Sequence, residues 1–414
     1  MYNTVSDRAD DAHFKPRFAD RAERMQASEI RELLKLLDQP GIISFAGGVP
    51  DPNLFPLEDV RNAYARALSQ TDQAHKALQY SVSEGSAGLR SWIAEHMGTR
   101  GVQCAPENIL ITNGSQQALE FLSRLFISPG DTVLAAAPTY LGALQAFAAS
   151  EPNYDDLPLE QGNRTAESFR ERAGANGGDI KFAYIVPDFA NPTGLTVDEE
   201  VRRDTLALSA ELGVPIVEDA AYTELRFSGR RVPSIQALDL QNGKTIDQSR
   251  VIYCGTFSKV FTPGLRVGWV CASQQIISRL VLIKQASDLN SPALNQTVIL
   301  NLAESQFDEQ VTRACAHYAP KRDAMLRALE MHMPDGTTWT QPEGGLFVWV
   351  TLPPEFRSAD ILPKSVQEAK VAFVPGHAFF ADGSGTNTMR LSFSLPSVAD
   401  IEEGIERLGL LLKA

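Results

Sequence analysis

The stretch Val251–Val270, VIYCGTFSKVFTPGLRVGWV, decides the fold and the chemistry expected of this chain. It opens with one strand-length apolar run and closes with another, and a loop that contains Lys259 and Arg266 joins them. Two hydroxyl residues, Thr256 and Ser258, stand just before the lysine. The pattern predicts two buried β-strands with a lysine at the point where they meet.

Two interpretations of Lys259 follow from this position. The plainer one is a lysine on a surface loop, with its ammonium group led out to water. The other is a buried lysine whose pKa is lowered, because burying an ammonium group is costly. Such a free amine attacks carbonyl groups and forms Schiff bases. Arg266 and the two hydroxyls beside it suit an aldehyde that carries a phosphate, a description that fits pyridoxal phosphate.

The composition is that of a globular protein, and its net charge disfavours polyanions as main partners. The 414 residues allow one large domain and a smaller one, and 43% of them are hydrophobic. The formal net charge of −13 argues against nucleic acid or an anionic membrane as a main partner. No apolar run is long enough to span a membrane, and the polar N-terminus has no signal core, so we expect a cytoplasmic protein. The cysteines form no CxxC pair and the histidines no metal motif, which indicates free thiols in a reducing cytosol and no bound metal: Cys104, Cys254, Cys271 and Cys315.

Apolar strands alternate with helices from about residue 108 to residue 272. This order predicts an α/β fold with a mostly parallel sheet that is covered by helices on both faces. Beyond residue 290 a long helix is followed by short strands, which predicts a smaller α+β domain. We therefore expect an N-terminal arm and helix at residues 1–50 that packs with the small domain, a large cofactor-binding domain at 51–290, and the small C-terminal domain at 291–414.

Polar residues just past the predicted strand ends indicate a binding site, because ligands of such sheets bind at the carboxyl ends of the strands. The turn Gly114–Gln116 lies between a strand and a helix. It is a candidate phosphate cradle, since free N–H groups and the helix dipole favour an anion there. The other members of the set at this edge are Asn113, Tyr140, Asn191, Asp219 with Tyr222, and Lys259 with its neighbours.

In these features the chain resembles the fold-type I pyridoxal phosphate enzymes, and among them the class I and II aminotransferases. The motifs that carry the resemblance are NPTG at 191–194, ED..Y at 218–222, FSK at 257–259 and RVGW at 266–269. The branch of 2-aminoadipate aminotransferase and kynurenine aminotransferase II is the most similar. The motifs for that branch are SEIRELLKL, ISFAGGVPDPNLFP, LQYS, NGSQQAL, GTFSK and GLRVGW.

The resemblance implies a role for each residue that would contact the cofactor ring. Lys259 would hold pyridoxal phosphate covalently and later carry the proton between the substrate Cα and the cofactor C4′. Asp219 would pair with the ring nitrogen and keep it protonated. Tyr222 and Asn191 would hydrogen-bond the phenolic oxygen of the ring, and Tyr140 would stack on it.

The resemblance also implies how the charged ends of cofactor and substrate are held. The phosphate would accept charge-assisted hydrogen bonds from one group of residues, namely Gly114, Ser115, Gln116, Thr256, Ser258 and Arg266. Arg390 would bind the α-carboxylate of the substrate, with Asn191 and the backbone of Gly48 assisting. Tyr80 would reach the phosphate of a neighbouring subunit, which implies a homodimer with shared active sites.

Arg31, within SEIR, is the residue on which substrate choice is expected to depend. In the aminoadipate branch an arginine at this place lies on a mobile helix and contacts the side-chain carboxylate of acidic substrates. The alternative is a solvated helix arginine paired with Glu29 or Glu32. Two departures from the family pattern also concern specificity, because Ala190 stands where glutamine is usual and Ala220 where a second acid is common.

We therefore predict a homodimeric, pyridoxal phosphate-dependent aminotransferase. It would move the amino group of an L-amino acid to a 2-oxo acid, with 2-oxoglutarate as the expected acceptor, by a ping-pong mechanism. The donor would be acidic, such as 2-aminoadipate or glutamate, or aromatic or branched-chain. The alternatives are a C–S lyase or decarboxylase on the same fold, and the effector-binding domain of a transcription regulator. Too few residues precede the SEIR helix for the DNA-binding domain of such a regulator.

Overall fold

The chain folds around β-strands that are short and mostly buried. The computed structural model describes residues 17–19, 22, 41–159 and 164–413. Its strands are, in chain order, β1 (Ile43–Ser44), β2 (Ile109–Thr112), β3 (Thr132–Ala135), β4 (Asn153–Asp156), β5 (Ile180–Ile185), β6 (Ile216–Asp219), β7 (Val251–Thr256), β8 (Gly268–Cys271), β9 (Thr338–Trp339), β10 (Phe347–Thr351), β11 (Val371–Ala372), β12 (Val374–Pro375) and β13 (Thr388–Ser392).

Helices fill most of the connections between these strands. The α-helices of the described residues are α1 (Leu57–Ser69), α2 (Thr71–Leu78), α3 (Ala87–Thr99), α4 (Ser115–Phe126), α5 (Leu141–Ala148), α6 (Ala166–Ala175), α7 (Glu199–Leu212), α8 (Ile235–Asp239), α9 (Gln274–Ser287), α10 (Ala293–His332), α11 (Ser358–Lys364) and α12 (Val398–Lys413). A π-helical turn, Ser365–Ala369, follows α11. Short 3₁₀ turns occupy Pro52–Leu54, Pro106–Asn108, Gln241–Gly243, Ile246–Gln248, Pro263–Leu265 and Gly376–Phe379.

Seven strands form the central sheet, in the order β2-β8-β7-β6-β5-β3-β4. The five strands from β7 to β4 run parallel, whereas β8 runs antiparallel to both of its neighbours. The predicted mostly parallel sheet is therefore confirmed. Because β6 and β7 are parallel neighbours, the residues that follow their ends lie at one edge of the sheet.

The strand β5 shows why these segments read as continuous apolar runs. Phe182 and Tyr184 pack into the core on one face of the sheet, and Ala183 and Ile185 pack into a second core on the other. Both faces are covered by helices, so neither set of alternate positions can be polar. Burial on both sides fixes the register and holds the strand ends still.

The C-terminal part has a four-stranded antiparallel sheet, β12-β13-β10-β9. β1 pairs in parallel with β11, so the start of the continuously described chain is attached to this part. The 40-residue helix α10 packs against both α1 and α12, and its backbone departs from helical geometry at Gln306. Since one helix serves both parts, the division at residue 290 stays a prediction.

Among the elements that lie where none was predicted, two lack the apolar periodicity on which the prediction depends, the strand β4 and the helix α2. β4 has the sequence NYDD and is the last strand of the sheet, where an edge position tolerates polar residues. The helix α2 has no buried residue. Neither element contributes a side chain to the predicted site.

Three further observations concern other expectations from the sequence. None of the described helices is long and apolar enough to cross a membrane. Within the same residues no group of three or more His, Cys, Asp or Glu side chains is placed to hold a metal ion. All four cysteines are free thiols.

Candidate active site

Lys259 lies in the turn after β7, with its amino group enclosed by other parts of the chain. Nζ donates a hydrogen bond to the carbonyl oxygen of Gly48 at 3.1 Å and lies 5.4 Å from the ring centroid of Tyr222. Desolvation, helped by the positive charges of Arg390 and Arg266, lowers the pKa of Lys259 to about 8. Of the two interpretations of this lysine, the structure therefore supports the amine of lowered pKa.

Asp219 ends β6 with a buried carboxylate of which only one oxygen is satisfied by another side chain. The Tyr184 hydroxyl donates to Oδ2 at 2.8 Å, whereas Oδ1 has no hydrogen-bond partner in the described part of the chain. Burial raises the pKa of Asp219 to about 6, against the opposing effects of Tyr184, the Ala221 N–H group and Lys259. A buried oxygen left without a partner is costly, so this position suits a ligand that brings a positively charged N–H group.

A cavity of about 120 Å³ lies between these two side chains. Its lining brings together predicted residues from segments far apart in the sequence, namely Ser115, Gln116, Tyr140, Asn191, Asp219, Tyr222, Thr256, Ser258, Lys259 and Arg266. The carboxyl ends of the strands place them there, as the sequence predicted for this edge of the sheet.

Two phenol groups border the cavity, and both stay protonated at neutral pH. Burial raises the pKa of Tyr222 well above its ordinary value, an effect that the side chain of Asn191 partly opposes. Burial and the charge of Asp219 raise the pKa of Tyr140 to about 12. The Tyr140 hydroxyl lies 3.3 Å from Gln116 Oε1, to which it donates. Each phenol can therefore act as a hydrogen-bond donor or pack against a flat ligand.

At the other end of the cavity the first turn of α4 meets Arg266. Gly114 precedes this helix with φ of 77°, and a Cβ atom at this position would lie 2.5 Å from Nη2 of Arg266. Only glycine allows both the backbone angle and the close approach. Thr256 Oγ1 donates to Ser258 Oγ at 2.9 Å. A helix N-terminus, a guanidinium group and two hydroxyls thus converge, an arrangement typical of a phosphate site.

Arg390 lies on β13 and is only 2% exposed. Nη1 donates to Asn191 Oδ1 at 2.8 Å, and Nη2 donates to the Ala46 carbonyl oxygen at 2.7 Å. Its guanidinium lies 4.4 Å from the ring centroid of Phe347 and 5.0 Å from that of Phe379. Nε has no partner among the described residues, and burial lowers the pKa of Arg390 to about 10. A cation held by rings, an amide and a carbonyl is prepared for an incoming carboxylate.

Gly48 lies directly beside Arg390. A Cβ atom on Gly48 would lie 2.8 Å from Cζ of Phe347 and 3.8 Å from Nη1 of Arg390. The backbone can therefore pack against the Phe347 ring, beside the guanidinium, only because this residue has no side chain. The same residue accepts the hydrogen bond from Lys259, so one loop connects the amine to the carboxylate site.

Tyr80 is 80% exposed and does not line the cavity. Four other predicted residues lie next to residues of the lining without being part of it, namely Gly48, Asn113, Gly114 and Arg390. Arg31 lies outside the described residues. Of the two departures from the family pattern, Ala190 packs against the main core, and Ala220 is buried with its N–H group donating to the Cys254 carbonyl oxygen at 2.9 Å.

Sequence reasoning missed three residues of the site. Tyr184 lies within an apolar strand, and its hydroxyl is the partner of Asp219. A tyrosine within an otherwise aliphatic and aromatic run is the signal that could have indicated it. Phe347 and Phe379 flank Arg390, and nothing in the sequence connects them to a residue on another strand.

The comparison with known proteins decides the family. Residues 40–408 match the family described as aminotransferase class I and II. The chain belongs to this family. Aromatic-amino-acid aminotransferase 1 of Thermococcus litoralis is 42% identical to this aminotransferase over 96% of this chain and 94% of its own length. The 2-aminoadipate transaminase of Thermus thermophilus is also 42% identical, over 96% of each chain. The crystal structure of Pyrococcus horikoshii kynurenine aminotransferase in complex with PMP has a TM-score of 0.88 and 41% identity, over 96% of each chain.

The enzyme is therefore a fold-type I aminotransferase that depends on pyridoxal 5′-phosphate and acts on amino and oxo acids. The residues present fit that cofactor. The unpaired Oδ1 of Asp219 suits the N–H group of a pyridinium ring, and the enclosed amine of Lys259 suits an aldehyde. The close packing of Gly114 against Arg266 leaves a cradle of backbone and guanidinium groups for a phosphate.

Proposed function

We propose that this aminotransferase takes both acidic and aromatic L-amino acids as donors and 2-oxoglutarate as acceptor, in a ping-pong cycle. The observation that carries the assignment of its site is the placement of the unpaired Asp219 Oδ1 and the Lys259 amine on one cavity, with Arg390 close by. Pyridoxal phosphate, when bound, supplies an aldehyde that takes up the amino group and a ring that withdraws electrons from the substrate Cα.

Lys259 holds the cofactor between turnovers and moves the proton at the substrate Cα during them. A pKa of about 8 leaves part of the amine unprotonated near neutral pH, which a base requires. The hydrogen bond from Nζ to Gly48 orients the amine toward the loop that borders the carboxylate site. Asp219 holds the proton on the ring nitrogen, because its buried oxygen Oδ1 has no other partner among the described residues and therefore favours a protonated neighbour.

The remaining side chains orient cofactor and substrate. Tyr222 and Asn191 hydrogen-bond the phenolic oxygen of the ring, and Tyr140 packs on the ring face. The phosphate is held by Gly114, Ser115, Gln116, Thr256, Ser258 and Arg266. Arg390 binds the substrate α-carboxylate together with Asn191 and the Gly48 backbone. Support for these assignments comes from the shared cavity and from the contacts of Arg390.

The preference for acidic and aromatic donor side chains is proposed from the names of two relatives and from the presence of Arg31 in the sequence. The relatives at 42% identity have names that specify an aromatic and an acidic amino acid. Arg31 provides the charge that an acidic side chain needs, and an aromatic side chain requires that this charge be removed from the site.

A spectral screen of the holoenzyme tests the substrate class. Each amino acid is added without an acceptor, and the loss of the cofactor's visible absorption band is recorded. We expect glutamate, 2-aminoadipate, phenylalanine and kynurenine to discharge the band without release of ammonia. In Arg31→Ala the two acidic donors should discharge the band more slowly than in the wild type, whereas phenylalanine should discharge it at the wild-type rate. If neither class of donor discharges the band, the proposal is contradicted. Ammonia released in proportion to the donor would also contradict it and would indicate lyase chemistry.

We also propose a homodimer in which Tyr80 contacts the phosphate bound by the partner. Alternate residues around it are apolar and exposed, since Leu78 is 68%, Tyr80 80% and Val82 57% exposed. Such a strip is typical of a surface that another subunit covers. Mixing Lys259→Ala with Tyr80→Ala subunits should restore activity, because a hybrid dimer has one site with both wild-type residues. Activity that is never restored, with subunit exchange demonstrated, would contradict the shared site.

A cytoplasmic location and the division into domains at residues 50 and 290 complete the proposal. The four free cysteines support a reducing compartment. The antiparallel sheet formed after residue 338 supports a separate C-terminal unit. Limited proteolysis near α10 would test the boundary, because cleavage confined to the segment 287–293 is the expected result.

A further inference from the structure

A half-buried polar network around one fully buried lysine lies behind the phosphate cradle, outside the cavity itself. Asp288 accepts hydrogen bonds at Oδ2 from Asn113 Nδ2 at 2.6 Å and from Gln117 Nε2 at 2.8 Å. Lys284 Nζ donates to both oxygens of Asp288 at 3.0 Å and to Gln117 Oε1 at 3.0 Å. None of these four residues lines the cavity.

The lysine of this network is unusual because its side chain is fully buried, whereas Asp288 is 24% exposed. Burial lowers the pKa of Lys284, and Asp288 partly offsets the effect. Buried ion pairs contribute little to stability compared with apolar residues of the same volume, so their geometry is the more informative property. Here the geometry joins the end of α9 to the first turn of α4.

The network determines the position of the residue just before the cradle. The N–H group of Asn113 donates to Gln117 Oε1 at 2.9 Å, and its side-chain amide is held by Asp288. Its carbonyl oxygen accepts a hydrogen bond from Nη2 of Arg266 at 3.0 Å. Asn113 is thereby held on one side by Gln117 and Asp288, and on the other side its carbonyl oxygen holds the guanidinium of Arg266.

The tolerance for movement at this point is small. Gly114 follows Asn113, and no side chain would fit there, because a Cβ atom would lie 2.5 Å from Nη2 of Arg266. A displacement of Asn113 therefore moves both the start of α4 and Arg266, the two groups that meet at the phosphate end of the cavity. A charged partner placed a fraction of an ångström away from its optimal distance loses much of its hydrogen-bond energy.

We propose that Lys284 and Asp288 are positioning residues for the cofactor phosphate, acting through Gln117 and Asn113 on Arg266. This inference rests on the proposed function, because it takes the phosphate to be bound by Arg266 and the first turn of α4. It assigns to the pair an effect on phosphate affinity alone. The ring and its aldehyde are held by residues that the network does not contact.

Cofactor titration of the full chain tests this assignment. An amino donor first converts the cofactor to its amine form, which dialysis then removes. The chain is titrated with pyridoxal phosphate and, separately, with pyridoxal, which lacks the phosphate. The readout is the dissociation constant for pyridoxal divided by that for pyridoxal phosphate. Both constants are measured by quenching of tryptophan fluorescence. In Lys284→Met and in Asp288→Asn we expect this ratio to fall by about tenfold, the loss that follows when a hydrogen bond to a charged group is weakened. The affinity for pyridoxal should stay at the wild-type value.

Lys321→Met is the matched control, because Lys321 is another buried lysine, paired with Asp51 at 2.9 Å, that does not contact the cradle. It should lose stability without loss of the phosphate preference. If Lys284→Met fails to fold, Asp288→Asn keeps the side-chain shape and gives the same readout. A wild-type preference that both variants retain overturns the inference alone. A wild-type chain that binds pyridoxal as tightly as pyridoxal phosphate overturns the proposed phosphate site as well.

Discussion

Substituting Asp219 by asparagine separates the effect of this residue on the stability of the cofactor-free chain from its effect on catalysis. The carboxyl is 3% exposed, and its pKa rises to about 6 from the ordinary value of 3.8. Because the folded pKa is above the unfolded one, the ionised group destabilises the cofactor-free chain. The penalty is absent below pH 3.8, grows as the pH rises toward 6 and is complete above pH 6.

The size of this penalty follows from the two pKa values. A difference of about two pH units corresponds to ~3 kcal/mol, at ~1.4 kcal/mol for each unit. Asparagine keeps an oxygen for the Tyr184 hydroxyl but buries an amide, which costs about 1–3 kcal/mol if it stays unpaired. The two effects offset each other near neutral pH. The cofactor-free variant should therefore be about as stable as the wild type at pH 7.5, and its stability should no longer fall between pH 4 and pH 7 on account of this residue.

Bound cofactor should reverse the comparison. A protonated ring nitrogen gives the Asp219 carboxylate its missing partner, so cofactor should stabilise the wild type by ~3 kcal/mol more than Asp219→Asn, with kcat reduced by several orders of magnitude in the variant. Urea unfolding with and without pyridoxal phosphate, at two pH values, measures both the pH-dependent penalty and the stabilisation by cofactor. Equal stabilisation of both proteins by cofactor, or wild-type kcat in the variant, would refute the pairing of Asp219 with the ring.

Three further predictions concern the amine, the carboxylate site and the loop between them. Lys259→Ala should retain cofactor by non-covalent contacts and lose nearly all turnover; an absorption spectrum with a single-turnover assay checks this, and wild-type turnover would contradict it. Arg390→Gln should raise KM for every amino acid by about 100-fold, since hydrogen bonds to a charged group contribute about 1.5–3 kcal/mol each, while cofactor affinity stays unchanged; equal loss of cofactor affinity would argue against a substrate role. The rate at which the cofactor-free chain captures pyridoxal phosphate should rise with pH through about 8, as Lys259 loses its proton, and stopped-flow absorbance that shows no rise would contradict the lowered pKa.

Strands buried on both faces were predictable because their apolar runs are continuous. Val251–Thr256 is buried at every position, and the sequence places it correctly. Asn153–Asp156 was not predictable, because an edge strand of polar residues has no apolar period. The sequence indicates where a core is required, and it is uninformative where an element is held by backbone pairing alone.

The candidate site was predictable to the extent that its residues follow strand ends. Asp219 and Lys259 follow neighbouring parallel strands, so their meeting could be expected. The partners of these residues could not, because they come from unrelated positions. Tyr184 reaches Asp219 from the next strand. In the same way, Asp288 reaches Asn113 from the end of a helix more than 150 residues further along the chain.

The cations around the cavity explain how one lysine can serve at two different levels of basicity. Arg390 and Arg266 both lower the pKa of Lys259, in addition to the effect of desolvation. In our assignment each arginine binds an anion, the substrate carboxylate at Arg390 and the phosphate at Arg266. An anion bound at either arginine neutralises the charge that disfavours a proton on Nζ. The amine therefore loses its proton more readily while the site awaits its ligands, and it becomes the stronger base once they are bound, which is when the proton at Cα must be removed.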